Sequence, residues 1–148
     1  MRRSWGTGIL TTPMPAALAG RSATPKGNGC EWLFRRVLDG MAIGDLFICP
    51  SRATREEHPQ PDGEYGMAIR MYDPDQRRYD MVYTCNQSIQ RLQIHQADGC
   101  IVCTVLDRPA EHWRFSDITP TSFRWQNVTD QPDGTVIINC EVLAHRRA

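Results

Sequence analysis

From residue 30 onward the chain is a series of short runs in which apolar and polar positions alternate, each closed by a turn signal. Residues 31–38 stop at Asp39-Gly40, a hairpin dipeptide, and 41–49 stop at Pro50. Residues 51–64 mix charges with Pro59, Pro61 and Gly63 and read as a loop. Runs 65–72 and 79–85 flank Asp73-Pro74-Asp75, a type I turn composition. Runs 88–96 and 100–106 flank Ala97-Asp98-Gly99. Residues 113–125 hold two aromatic strands around Thr119-Pro120-Thr121, and 135–145 form a closing strand after the Pro132-containing turn. No segment carries a helical apolar stripe, and the period of two predicts about nine β-strands with turns every ~8–12 residues.

Consecutive hairpins without helical crossovers predict an all-β, antiparallel up-and-down barrel, because closure removes exposed strand edges. Residues 1–29, rich in Gly, Pro, Thr and Ala, lack periodicity and read as a flexible N-terminal arm; residues 30–148 read as a single barrel domain. The start loosely imitates a secretory signal, but Gly6, Gly8, Pro13 and Pro15 interrupt its apolar middle.

Composition narrows the function classes. Lys plus Arg (17) balance Asp plus Glu (17), so no overall field draws in nucleic acid or an anionic membrane. No apolar run approaches the ~20 residues of a membrane span. Six cysteines without a convincing export signal predict reduced, buried thiols and a cytoplasmic protein. Cys100 and Cys103 have CxxC spacing, but residues three apart on a strand point to opposite faces, which argues against a shared metal. No phosphate cradle, dinucleotide fingerprint, nucleophile elbow or zinc motif is present, so no cofactor and no metal is expected.

Three segments together, EWLFRRVLDGMAIGDLFICPSR (31–52), GEYGMAIRMYDP (63–74) and WRFSDITPTSFRW (113–125), resemble the lipocalin-like bacterial and fungal proteins that carry VLDG…D, GYG…RxYDP and WxFxxITxxSFxW patterns. The resemblance covers roughly residues 30–147 and implies a calycin-type barrel with a central cavity. It supplies no catalytic residues. The chain departs from the pattern where members carry tryptophans: here stand Tyr79, Tyr83 and Cys85, then Asn139 and Cys140.

Strand parity selects the candidate chemistry. In 65–72 one face is Tyr65, Met67, Ile69 and Met71; the other is Gly66, Ala68, Arg70 and Tyr72, the mixture of space and placed polarity that a pocket needs. Arg70 either anchors a ligand carboxylate, carbonyl or phenolate or pairs with an acid such as Asp45 or Glu141. Asp45, in parity with Ile43 and Phe47, either pairs with Arg36 or Arg70 or is available to move a proton. Tyr83 either offers a phenol to a ligand or is an ordinary wall residue. Trp113, Phe115, Phe123 and Trp125 share one parity and Arg114 and Arg124 the other; whichever set faces inward lines the interior. His95, His112 and His145 read as surface groups. The ligand-contact candidates are therefore Arg36, Asp45, Arg70, Tyr72, Tyr83, Trp113 and Trp125. The expected partner is a small hydrophobic molecule, with the Tyr65–Met71 parity face as a surface for a homodimer. The alternative is a small cofactor-independent isomerase, cyclase or dehydratase acting on a hydrophobic metabolite.

Overall fold

The computed structural model describes residues 18–22, 29–57, 59 and 63–146. They form ten antiparallel strands: β1 (Leu18–Ser22), β2 (Cys30–Val37), β3 (Ala42–Cys49), β4 (Glu64–Asp73), β5 (Arg78–Cys85), β6 (Ser88–Ala97), β7 (Cys100–Val105), β8 (Glu111–Ser116), β9 (Ser122–Asp130) and β10 (Val136–Arg146). Each strand pairs with its sequence neighbours, and β1 pairs with both β2 and β10, so the sheet closes into an up-and-down barrel. The nine strands expected from residue 30 onward are all present. The tenth comes from the segment read as a flexible arm: Leu18–Ser22 pair with Val142–Arg146 and, in part, with Cys30–Trp32. Residues 1–17 and 23–28 lie outside the described residues. Among those described, no helix is long and apolar enough to cross a membrane.

Turn chemistry sets the register. Between β6 and β7, Asp98 and Gly99 both take positive φ (51° and 75°), the mirror-image turn that matches strand twist. Asn86 and Gln87 do the same between β5 and β6 (49° and 63°). With register fixed, alternate side chains enter the barrel: Trp32 and Phe34 from β2, Asp45 and Phe47 from β3, Ala68 and Arg70 from β4, Met81 from β5 and Leu92 and Ile94 from β6. Cys103, Trp113, Phe115, Phe123, Trp125, Val142 and Ala144 complete the core. The aromatic face of the 113–125 hairpin therefore points inward. Arg114 and Arg124 lie outside, where Arg124 bridges Asp117 and Glu141 and Arg114 donates to Gln126. Tyr65, Met67, Ile69 and Met71 occupy the outer face of β4 and are exposed, as parity requires.

The cysteines correct one expectation. Cys30 and Cys49 are joined in a disulfide, with Cα atoms 4.4 Å apart, because both sit on inward positions beside the Glu31–Ile48 pair of β2 and β3. Disulfides persist in oxidising compartments, so the argument for a cytoplasmic protein from reduced thiols loses its basis. Cys85, Cys100, Cys103 and Cys140 are free. The CxxC pair divides as strand geometry demands, with Cys103 sealed in the core and Cys100 on the other face.

Two outcomes test this packing. The Tyr83 ring lies against Gly66, and a Cβ there would overlap it. Gly66→Ala should therefore cost about 1–3 kcal/mol in urea unfolding, with most of that increment absent in a Tyr83→Ala background. Burial pushes the Cys103 thiol up to about 12, whereas Cys140 is exposed. Iodoacetamide at pH 8 should label native Cys140 before Cys103, which mass spectrometry should find modified only on unfolding.

Candidate functional site

The five odd-numbered connections, from β1–β2 to β9–β10, gather at one end of the barrel, here the upper end; the four even-numbered connections close the lower end. Midway between them sits a buried polar cluster. Asp45, 3% exposed, forms a salt bridge with Arg70, 4% exposed, and accepts a 2.7 Å hydrogen bond from the Trp32 indole N–H. The Arg70 guanidinium also lies over the Phe34 ring, 5.7 Å from its centroid. Register explains the meeting: Ala68 and Arg70 follow the strand β4 face that opposes Asp45 and Ile43. Both Asp45 oxygens are engaged, so the pair holds the barrel wall together and offers no free acid.

Around it the aromatic rings pack densely. Trp32 touches Phe34, Phe47, Phe115, Phe123 and Trp125 at centroid separations of 4.9–5.8 Å. Toward the upper end this changes. Trp113 and Trp125 lie edge-on to each other, with ring centroids 5.7 Å apart. They are 7% and 9% exposed, and neither indole nitrogen, though sealed from solvent, has a hydrogen-bond partner. The Gln90 side-chain oxygen is likewise buried and unpartnered, on the β6 position opposite Tyr83. Tyr83 packs edge-on against Trp113 (5.1 Å) and donates a 2.6 Å hydrogen bond to Glu64. Burial first, and then that bond, push the Tyr83 phenol well above its ordinary value, so it stays protonated and can only donate to Glu64 at neutral pH. Cys140, exposed but partly desolvated, faces the same end; that desolvation and the nearby Glu64 charge raise its thiol, though less than full burial raises Cys103.

The expected site residues thus separate into three groups. Trp113, Trp125 and Tyr83 come together at the upper end. Asp45 and Arg70 bind each other, so of the two alternatives open to each from the sequence the structure shows the salt bridge, and neither is placed as a ligand anchor or free proton carrier. Arg36 is exposed at the lower end, and Tyr72, half-buried, packs with its ring tilted against Tyr79 there (5.1 Å). Neither approaches the tryptophans. Glu64, Gln90, Phe47 and Trp32 were not among the candidates. Glu64 shares the parity of Gly66 and Arg70, and Trp32 that of Phe34, so a strand begun one residue earlier would have brought Glu64 in.

Outside the barrel, Ile69, Met71, Val82 and Leu106 line a groove of about 250 Å³ with Arg78, Asp80 and Arg91 at its margins. Among the described residues, no group of three or more His, Cys, Asp or Glu side chains is placed to hold a metal ion. No protein-family model matches the chain, and no curated protein matches it.

Arg70→Met leaves the buried Asp45 carboxylate with the Trp32 indole N–H but without its cation, and should lower stability by about 3–5 kcal/mol in urea unfolding. Adding Asp45→Leu should restore most of that loss, since an apolar pair replaces an orphaned charge. A single-variant loss of about 1 kcal/mol or less, the scale of a surface ion pair, would show that this cluster does not hold the wall.

Proposed function

We propose that the protein is a lipocalin-like binder that takes up a small, mostly hydrophobic molecule inside the barrel at its upper end. The observation that carries this reading is the pair of indole N–H groups, on Trp113 and Trp125, that are buried inside the barrel without an acceptor. Native proteins leave few buried donors unsatisfied, so two of them close together in the barrel offer a ligand acceptor a hydrogen bond that the surrounding protein does not already make. Ring faces supply the apolar contact area around those donors. A closed barrel of eight strands is just wide enough for side chains or one small ligand; ten strands enclose more. The resemblance of three sequence segments to lipocalin-like proteins is consistent with this reading.

Catalysis would have to run through Glu64 and Tyr83, because Asp45 and Arg70 are committed to each other. The phenol, held protonated and bonded to Glu64, suits orientation better than proton removal. Binding without turnover is the reading these groups favour.

N-phenyl-1-naphthylamine, a neutral fluorophore, tests this. It should bind saturably with one site per chain and accept energy from the tryptophans. Ligand at ~100 times Kd should add about 2.7 kcal/mol to stability, visible as a rise of several degrees in Tm. Ile69→Arg, in the outer groove, should leave uptake unchanged. Absence of saturable binding, or its loss in Ile69→Arg, would refute interior binding.

A further inference from the structure

Polar groups at the upper end would discriminate among hydrophobic ligands held there by charge and by hydrogen-bonding type. Two donors without acceptors, Trp113 Nε1 and Trp125 Nε1, belong to rings whose centroids are 5.7 Å apart. An indole N–H can only donate, so the complementary ligand atom is an acceptor. A carbonyl oxygen carries two lone pairs and can serve two such donors at once. An amine nitrogen offers one lone pair, an ether oxygen is a weaker acceptor than a carbonyl, and a hydrocarbon leaves both donors unmet at the desolvation cost of each.

Charge excludes the most familiar acceptor, a carboxylate. Among the described residues, the inward strand positions at this end hold two acids, Glu64 and Glu111, and no cationic side chain. Arg70, deeper in the barrel, is consumed by Asp45. Arg108, at the rim, is paired with Glu111. A ligand anion would therefore meet Glu64 with no counter-charge, at an energetic cost that a neutral carbonyl avoids. The walls are aromatic and favour a flat, ring-bearing molecule that stacks or packs edge-on.

We propose that the interior site is selective for neutral aromatic ketones or related ring-bearing carbonyl compounds, whose oxygen sits between the indole N–H groups of Trp113 and Trp125. This rests on the interior-binding reading above and adds the chemical class of the ligand. It also assigns Trp113 and Trp125 as specificity-determining residues rather than wall filler.

Three probes of one shape separate the possibilities: 2-acetylnaphthalene, 2-ethylnaphthalene and 2-naphthoate, titrated into the full-length protein by tryptophan fluorescence. The ketone should bind about tenfold or more tightly than the hydrocarbon, the scale of one to two net hydrogen bonds, and naphthoate should bind weakest. The paired variant Trp113→Phe/Trp125→Phe keeps the rings and deletes both N–H groups; it should bring ketone and hydrocarbon to similar affinities. Indole N–H resonances of the ¹⁵N-labelled wild-type protein should move with the ketone and stay with the hydrocarbon, a readout that needs no variant to fold. Equal affinity for ketone and hydrocarbon with unmoved indole resonances would show that neighbouring ring faces serve the N–H groups; that overturns the carbonyl assignment and leaves interior binding standing. Tightest binding of naphthoate overturns it as well. If none of the three binds, interior binding and the carbonyl assignment fall together.

Discussion

Closure of the sheet is the constraint on which this structure depends. With β1 inserted between β2 and β10, where it pairs with Cys30–Trp32 and Val142–Arg146, the described strands close into a barrel, and every strand has one face that must fill the interior and one that meets the outside. A shift of one residue in any ladder would exchange the two faces. On β8 it would bring Arg114 inside and put Trp113 and Phe115 out, and on β4 it would exchange Arg70 for Ile69. The two-residue turns at Asn86-Gln87 and Asp98-Gly99 guard against such slips, because their positive φ values fit one register.

The same interior treats polar groups in two ways. At mid-height, the Asp45 carboxylate has both a cation and an indole N–H, and the cluster is complete. A buried charge so matched is costly to break and offers nothing to a ligand. At the upper end, two indole N–H groups and the Gln90 oxygen are buried with no partner. Satisfied polarity builds the wall at mid-height, and the unsatisfied groups at the upper end are the ones the proposed ligand would meet; Arg55 Nη1 and Arg114 Nε are also buried without a partner. Trp32 divides the two regions: its N–H serves Asp45 while its ring packs on Trp125.

The outer surface follows separate rules. Arg124, Gln126 and Glu141 form a network across β9 and β10, in which Arg124 first and Gln126 next hold the Glu141 carboxyl below its ordinary value. On β4 the outer face is instead apolar, with Tyr65 beneath Arg55 and Met67, Ile69 and Met71 exposed. The disulfide between Cys30 and Cys49 ties β2 to β3 at the upper end, beside the β3 strand that carries Phe47 toward Trp125.

Alternation along each run was enough to determine the strand class, the antiparallel order and which residues share a face, because side-chain direction on a strand is local and has a period of two. That local rule put Trp113, Phe115, Phe123 and Trp125 together and separated Cys100 from Cys103. It could not say which face was inside; closure decided that. Leu18–Ser22 escaped notice because the run Leu-Ala-Gly-Arg-Ser carries no apolar–polar alternation, and its pairing with β2 and β10 is set by the closure of the sheet. Pairing between neighbouring strands was legible only in part. Asp45 with Arg70, twenty-five positions away, was one of the pairings open to each residue, whereas the Cys30–Cys49 bond at a separation of 19 ran against the expectation of reduced thiols, because no single run encodes ladder register. The unpartnered indole groups are legible only in three dimensions, because a missing partner is a property of everything packed around the atom.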